Sequence, residues 1–189
     1  VRLLIGGPTR TPSSWAQAIR ADLVGGRRLD MVIAYFSPAS RMARRIGNLA
    51  RRGTARLVMA GKSDNNATIG AARSMYAYLL GCSARVWEFT ACKLHMKLIV
   101  IDDAVYFGSA NFDMRSLYVN LELMLRIEDA ALADRMRKFI GWHIAASEEI
   151  TPQVNKRRAT LFNRFRWNLA WFLVAVVDYN VSRRLNLGL

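Results

Sequence analysis

At 189 residues, 52% of them hydrophobic, the chain holds enough apolar material for one domain with its own core, which excludes a disordered chain. A formal charge of +14 points to anionic partners such as nucleic acid, acidic lipid or phosphorylated small molecules, without choosing among them. The same charge also suits a solvated surface, with Arg44, Arg45, Arg51 and Arg52 along one exposed helix face.

Val1 to Gly6 is a strand-like run broken at once by Gly7 and Pro8, unlike a signal peptide, and the missing initiator Met points to a fragment. Strand-like runs follow at 30–35, 55–60, 84–89, 95–101, 104–109 and 121–127, and helical periodicity covers 13–24, 39–52, 67–80 and 129–148. This alternation predicts an α/β sandwich. Ser37-Pro38 and Asp64-Asn65-Asn66 are expected to start helices, and Gly53 and Gly81 to end them. Cys82 and Cys92 are too few for a disulfide scaffold and match no zinc spacing, so free thiols in a reducing compartment are expected. Cys92 and His95 supply two ligands where a metal site needs three or four, so no metal is predicted.

Composition shifts beyond Pro152, which divides the chain into a domain over 1–151 and a tail over 152–189. Lys156, Arg157, Arg158, Arg164 and Arg166 lead into a run with Phe162, Phe165, Trp167, Trp171 and Phe172. Its longest apolar stretch, Leu169 to Val177, is short of the ~20 residues that span a bilayer. A basic aromatic helix of this kind either lies in a bilayer interface or packs as a last helix on the domain or on a partner.

Chemistry concentrates around residue 95. On a strand, His95 and Lys97 share one face while Leu98 and Val100 alternate about it. The chain then turns at Asp102-Asp103, returns, and ends in Gly108-Ser109-Ala110-Asn111, whose small residues let backbone N–H groups approach an anion at a helix start. Imidazole, ammonium, hydroxyl and amide would converge on one point. His143, the other histidine, lies in a helical pattern with no lysine two residues on and is expected to be a packed or surface residue.

The pattern His-x-Lys-x4-Asp followed by Gly-Ser-x-Asn resembles the HKD motif of the phospholipase D superfamily. Tyr35-Phe36-Ser37-Pro38, Gly61-Lys62-Ser63-Asp64, Asn111 to Ser116 and Asn120-Leu121-Glu122 extend the resemblance over about 150 residues, to the C-terminal half of bacterial cardiolipin synthase-like proteins. Five residues separate Asp102 from Gly108 where many members have six, which predicts a hairpin turn one residue shorter, at Asp103-Ala104.

The resemblance implies a mixed sheet flanked by helices and a two-step displacement through a phosphohistidine. His95 would be the nucleophile or its acid/base counterpart, and Lys97, Ser109 and Asn111 would bind phosphate. Asp102 and Gly108 would support the hairpin, and no cofactor is needed. Glu122 is the candidate to accept a hydrogen bond from the other ring nitrogen of His95 and hold its tautomer. A second HKD motif must come from an N-terminal half or from a homodimer, because this chain has one. The expected partners are anionic phospholipid and a membrane surface, with the protein peripheral on the cytoplasmic side. Nucleic acid ranks second, as substrate of a dimeric single-motif nuclease or phosphodiesterase, and an inactive membrane-binding module third.

Overall fold

The computed structural model describes residues 1–8 and 11–187, so the last two residues of the predicted tail lie outside it. The chain opens with β1 (Arg2–Gly6) and α1 (Ser14–Gly25). Two βαβ passes follow: β2 (Arg28–Ile33), the two-residue β3 (Phe36–Ser37), α2 (Ser40–Arg52), β4 (Thr54–Ala60), α3 (Asn66–Gly81) and β5 (Arg85–Phe89). Next come the hairpin β6 (Lys97–Ile101) and β7 (Ala104–Gly108), then β8 (Phe112–Asp113), α4 (Met114–Tyr118), β9 (Glu122–Glu128), α5 (Ala130–Ala145) and β10 (Ser147–Glu149). The tail holds α6 (Pro152–Arg158), α7 (Leu161–Phe172), a π-helical turn (Leu173–Val177) and α8 (Asp178–Leu187).

Eight strands form one mixed sheet in the order β1-β9-β7-β6-β2-β4-β5-β10, and β3 pairs with β8 beside it. Strands β2, β4 and β5 run parallel, and the remaining neighbours in the large sheet are antiparallel. Helices cover both faces, which is why the central strands read as unbroken apolar runs. Met31, Leu57, Ile99 and Tyr106 pack under Trp15, Ile19, Ile46 and Leu79 from α1, α2 and α3. On the other face Val32, Val58, Val100 and Val105 meet Ala133 and Ile140 of α5. The buried Asp30 joins the layers by accepting from Arg137 Nε at 3.1 Å and from Arg56.

Local details depart from the sequence reading where backbone contacts outweigh composition. Ser37 is buried in β3, and α2 starts after Ala39 with no side-chain cap. Asn65 does cap α3, accepting from Ala67 N at 3.0 Å. Gly53 follows α2, and a Cβ there would collide with the Arg27 carbonyl, so the close approach of these two backbone segments requires glycine. Helix α3 runs through Gly81 to a cap at Cys82, and Ser83 takes the left-handed turn at φ 68°. The predicted helix over 129–148 ends at Ala145, and Ser147–Glu149 adds an edge strand to β5.

The tail is docked through α7 on α3. Trp167 is 5% exposed, and a Cβ on Gly70 would lie 3.0 Å from that of Ala170. Arg158 of α6 reaches the buried Glu88 at 3.3 Å, where Arg73 Nε and Nη2 also donate at 2.8 Å each. Among the described residues no helix is long and apolar enough to cross a membrane.

Candidate active site

Strand register brings the motif residues to one end of the sheet. Lys97 opens β6 opposite Ile33, the last residue of β2, and Leu98 pairs with Phe107 near the end of β7. Gly108 pairs with Met124 near the start of β9, and Glu122 opposite Gly6 at the end of β1. The first residues of β6 and β9 therefore meet the last residues of β1, β2 and β7. This is the end to which the parallel strands point their carboxyl termini, where α/β sheets leave a crevice for ligands.

Side-chain direction completes the arrangement. Lys97 lies in phase with Ile99 and Ile101, and Glu122 with Met124, so both face the side covered by α1, α2 and α3. Lys97 is buried, and its Nζ donates to the His95 carbonyl at 2.9 Å. Burial pushes the Lys97 ammonium below the ordinary lysine value, while the Glu122 and Asp113 carboxylates push it back up. His95 is exposed in the extended segment that precedes β6, so strand geometry starts two residues later than expected and the imidazole remains accessible beside a buried cation.

Ser109 leaves the sheet where β7 and β9 meet. Its N–H donates to the Leu123 carbonyl at 3.0 Å, and its Oγ accepts from Leu123 N at 3.1 Å and donates to Glu122 Oε2. A Cβ on Gly108 would collide with the Leu123 carbonyl oxygen and fall 2.9 Å from Met124 Cα, so glycine alone keeps the two strands this close. Gly6 makes room in the same way, since a Cβ there would lie 3.0 Å from that of Glu122. Asn120 Nδ2 donates to Glu122 Oε1 at 3.3 Å. Both carboxylate oxygens thus have partners other than the His95 ring, and this geometry does not include the hydrogen bond to His95 expected from the sequence. Glu122 instead organises Ser109 and Asn120 beside Lys97.

Asn111 lines a cleft of about 530 Å³ together with Tyr35, Asp113, Asn120 and, from the tail, Leu173 and Asp178. Its Oδ1 is buried and has no hydrogen-bond partner among the described residues. No helix starts directly after Asn111, in contrast to the sequence expectation. The two-residue β8 intervenes, stacking Phe112 on Phe36 at 5.7 Å, and Asp113 then caps α4 by accepting from Ser116 N at 2.8 Å. Burial pushes the Asp113 carboxyl above the ordinary aspartate range, with the Ser116 hydrogen bonds opposing it. Asp113 and Asn120 lie beside these residues and had no role assigned from the sequence, although both fall in the segments that carry the resemblance, in the spacings Asn-x-Asp and Asn-x-Glu with Asn111 and Glu122.

Asp102 lies at the opposite end of β6. It occupies the two-residue turn Asp102-Asp103 with φ 46°, and Ile101 pairs directly with Ala104, so the turn falls where the strand pattern puts it and one residue before the Asp103-Ala104 expected from the shorter spacing to Gly108. Its Oδ1 accepts from Arg28 N at 2.9 Å, and both oxygens lie 3.2 Å from Arg27 N. His143 is a helix residue, with Nδ1 3.1 Å from the Phe139 carbonyl and its ring 4.7 Å from that of Phe139. Among the described residues no three His, Cys, Asp or Glu side chains gather as metal ligands.

One sheet end of this α/β domain thus holds a buried ammonium and a hydroxyl beside an accessible imidazole, while Asn111 lines the cleft with Asp113 and Asn120. Residues 24–144 match the family described as Cardiolipin synthase, PLD-like domain, and the chain belongs to that family. It is 26% identical over 162 residues to cardiolipin synthase A of Buchnera aphidicola subsp. Baizongia pistaciae, covering 84% of this chain and 33% of that protein. The chain thus spans about a third of that relative's length. Among solved structures it is similar to Nuc of Salmonella typhimurium, a phospholipase D family member, with a TM-score of 0.64, 15% identity, and coverage of 79% of this chain and 98% of Nuc. Phosphatidylserine synthase of Haemophilus influenzae aligns with a TM-score of 0.68 and 13% identity over 93% of this chain and 47% of that one. At these identities the two structures share the fold.

Proposed function

We propose that this chain is one half of a two-motif active site that transfers a phosphatidyl group through a phosphohistidine at His95. The observation that carries the reading is the register that sets Lys97, Ser109 and Glu122 at one sheet end beside an exposed His95, in a chain of the cardiolipin synthase family.

In the first step the neutral His95 imidazole donates a nitrogen lone pair to phosphorus, and the bond from phosphorus to the departing alcohol oxygen breaks. That oxygen takes a proton from the imidazolium of the second motif. In the second step an acceptor alcohol loses its proton to the same imidazole and displaces His95 from phosphorus. Imidazole suits both roles because it can offer a lone pair to phosphorus or carry a proton to and from oxygen. Lys97 stabilises charge on the phosphoryl oxygens and the side-chain N–H groups of Asn111 supply hydrogen bonds, while the one Ser109 hydroxyl proton is held by Glu122. Glu122 fixes the Ser109 hydroxyl and helps to keep Lys97 protonated.

A second unit completes the site because His95 bonded to phosphorus cannot at the same moment protonate the leaving oxygen. Exposed Leu3, Ile5, Leu121 and Leu123 next to Glu122 give such a unit an apolar surface to cover. We assign catalysis to residues 1–151 and an accessory role to 152–189, with the protein peripheral on the cytoplasmic face of the membrane, in keeping with its two free thiols. Hydrolysis of nucleic acid is the second reading, favoured by the +14 charge.

The test is turnover of phosphatidylglycerol and of DNA by the chain joined to a second HKD unit, with His95→Ala as the control. Phosphatidyl transfer that survives chelator and falls at least about 100-fold in the variant supports the reading. Residual activity within about tenfold of wild type, about 1.4 kcal/mol of barrier, overturns it.

A further inference from the structure

Helix α7 is apolar on two opposite sides. Successive residues turn about 100° around a helix, so Phe165 and Leu169, two residues either side of Trp167, lie about 160° away from it, and Phe162 and Phe172, five residues either side, about 140° away. Trp167 is 5% exposed against α3, whereas Phe162 is 71% and Phe165 68% exposed. The docked side is filled by Trp167, the half-buried Trp171 and small residues, Ala170 against Gly70 and the buried Ala175, while the phenylalanines point outward. A helix that served only the domain core would carry polar residues on the side facing away from it. The outward stripe continues through Leu173 and Val177 into α8, where Val181 and Leu185 are also exposed.

We propose that this outward stripe is a docking surface for an anionic bilayer, on which residues 161–187 lie in the plane of the interface. Charge selects a bilayer over a protein partner: residues 152–189 carry seven Lys and Arg against one acidic residue, Asp178, which is paired with Arg115 at 3.2 Å. Arg164 and Arg166 flank the stripe, Arg183 and Arg184 lie on α8, and Lys156 and Arg164 line a cleft of about 350 Å³ between α3, α6 and α7. Twenty-seven helical residues make a rod about 40 Å long, and neither α7 nor α8 is apolar enough to cross. An apolar stripe bordered by cations on a helix of this kind inserts shallowly among headgroups. Leu173 belongs both to this stripe and to the wall of the cleft that holds Asn111 and Asp113, so docking brings the mouth of the candidate site to the lipid surface.

The proposal extends the reading of a lipid substrate, and its test measures binding alone, so that catalysis can fail without deciding it. The full chain is sedimented with vesicles of equal parts phosphatidylglycerol and phosphatidylcholine and with vesicles of phosphatidylcholine alone. The wild type binds the anionic vesicles, and Phe162→Ser/Phe165→Ser/Phe172→Ser weakens that binding about tenfold or more at an unchanged melting temperature. Phe165→Glu, a single exposed change, gives the same direction if the triple variant does not fold. Equal binding by wild type and Phe165→Glu overturns the proposal, as does a wild type that ignores anionic vesicles. A wild-type oligomer that dissociates in the variants, with vesicle binding unaltered, assigns the stripe to a second copy and overturns it too.

Discussion

Replacing Asp102 separates structural from chemical roles within the motif. Five residues of strand rise put it about 16 Å from Lys97, at the turn end of the hairpin and away from Ser109 and Glu122. It holds the backbone N–H groups of Arg27 and Arg28 and adopts φ 46°. Hydrogen bonds to a charged acceptor contribute about 1.5–3 kcal/mol each, and the exposed position argues for the lower figure, about 3 kcal/mol for the pair. The left-handed backbone adds about 1 kcal/mol against a Cβ that lacks the local bonding of aspartate. Asp102→Ala should therefore lose about 4 kcal/mol, or roughly 8–16 °C in melting temperature for a chain of this size. Asp102→Gly escapes the backbone term and should lose about 3 kcal/mol. Asp102→Asn, which tolerates the turn and keeps one acceptor oxygen, should lose about 1 kcal/mol. Urea denaturation gives the stabilities, and hydrolysis of a soluble phosphodiester by the completed two-motif enzyme gives turnover per folded molecule, which should stay within about tenfold. An Asn variant of wild-type stability that loses about 100-fold or more in turnover would show that Asp102 acts on the chemistry, and the reasoning fails.

Lys97→Met should do the opposite. It removes an ammonium whose burial opposes its charge, so thermal stability should hold or rise, while loss of the charge aimed at phosphate lowers turnover about 100- to 1,000-fold; an active Met variant would remove Lys97 from the mechanism. Asp113→Asn tests the raised carboxyl through pH. Because burial makes the folded state bind this proton more tightly than the unfolded state, the folded wild type loses stability as pH rises from the ordinary aspartate value, about 3.9, through its own higher one. The Asn variant keeps the cap to Ser116 and has no proton to lose, so its stability relative to wild type should increase over that window. Urea titrations at several pH values in which the Asn variant loses stability relative to wild type as pH rises would contradict the burial argument.

The central strands and the motif were legible in the sequence because both are encoded locally. Buried runs such as Met31-Val32-Ile33 and Leu98 to Ile101 carry their own burial signal, and the spacing of His95, Lys97, Ser109 and Asn111 is a matter of counting. What escaped depends on partners distant in sequence. The edge strand Ser147–Glu149 has no apolar residue and exists because the β5 backbone offers free hydrogen bonds. Ser37 reads as a cap yet is drawn into β3 by Asp113, its partner in β8 76 residues away. Glu122 was recognised as a site residue, but its hydrogen bonds follow from the register of β7 on β9, which no local pattern reports. The tail left two readings open because its apolar residues lie on two faces, and only packing against Gly70 shows which face is used by the domain.

The central claim is that this chain holds half of an active site, so turnover must follow association with a second motif. The most direct measurement mixes wild-type chains with an excess of His95→Ala chains under exchanging conditions, with association followed by sedimentation. If two copies form the site, activity per wild-type chain falls as mixed pairs replace wild-type pairs; if an upstream half supplies the second imidazole, the isolated chain is inactive and adding that half restores turnover. A demonstrated monomer with turnover that neither dilution nor the inactive variant changes would contradict the account.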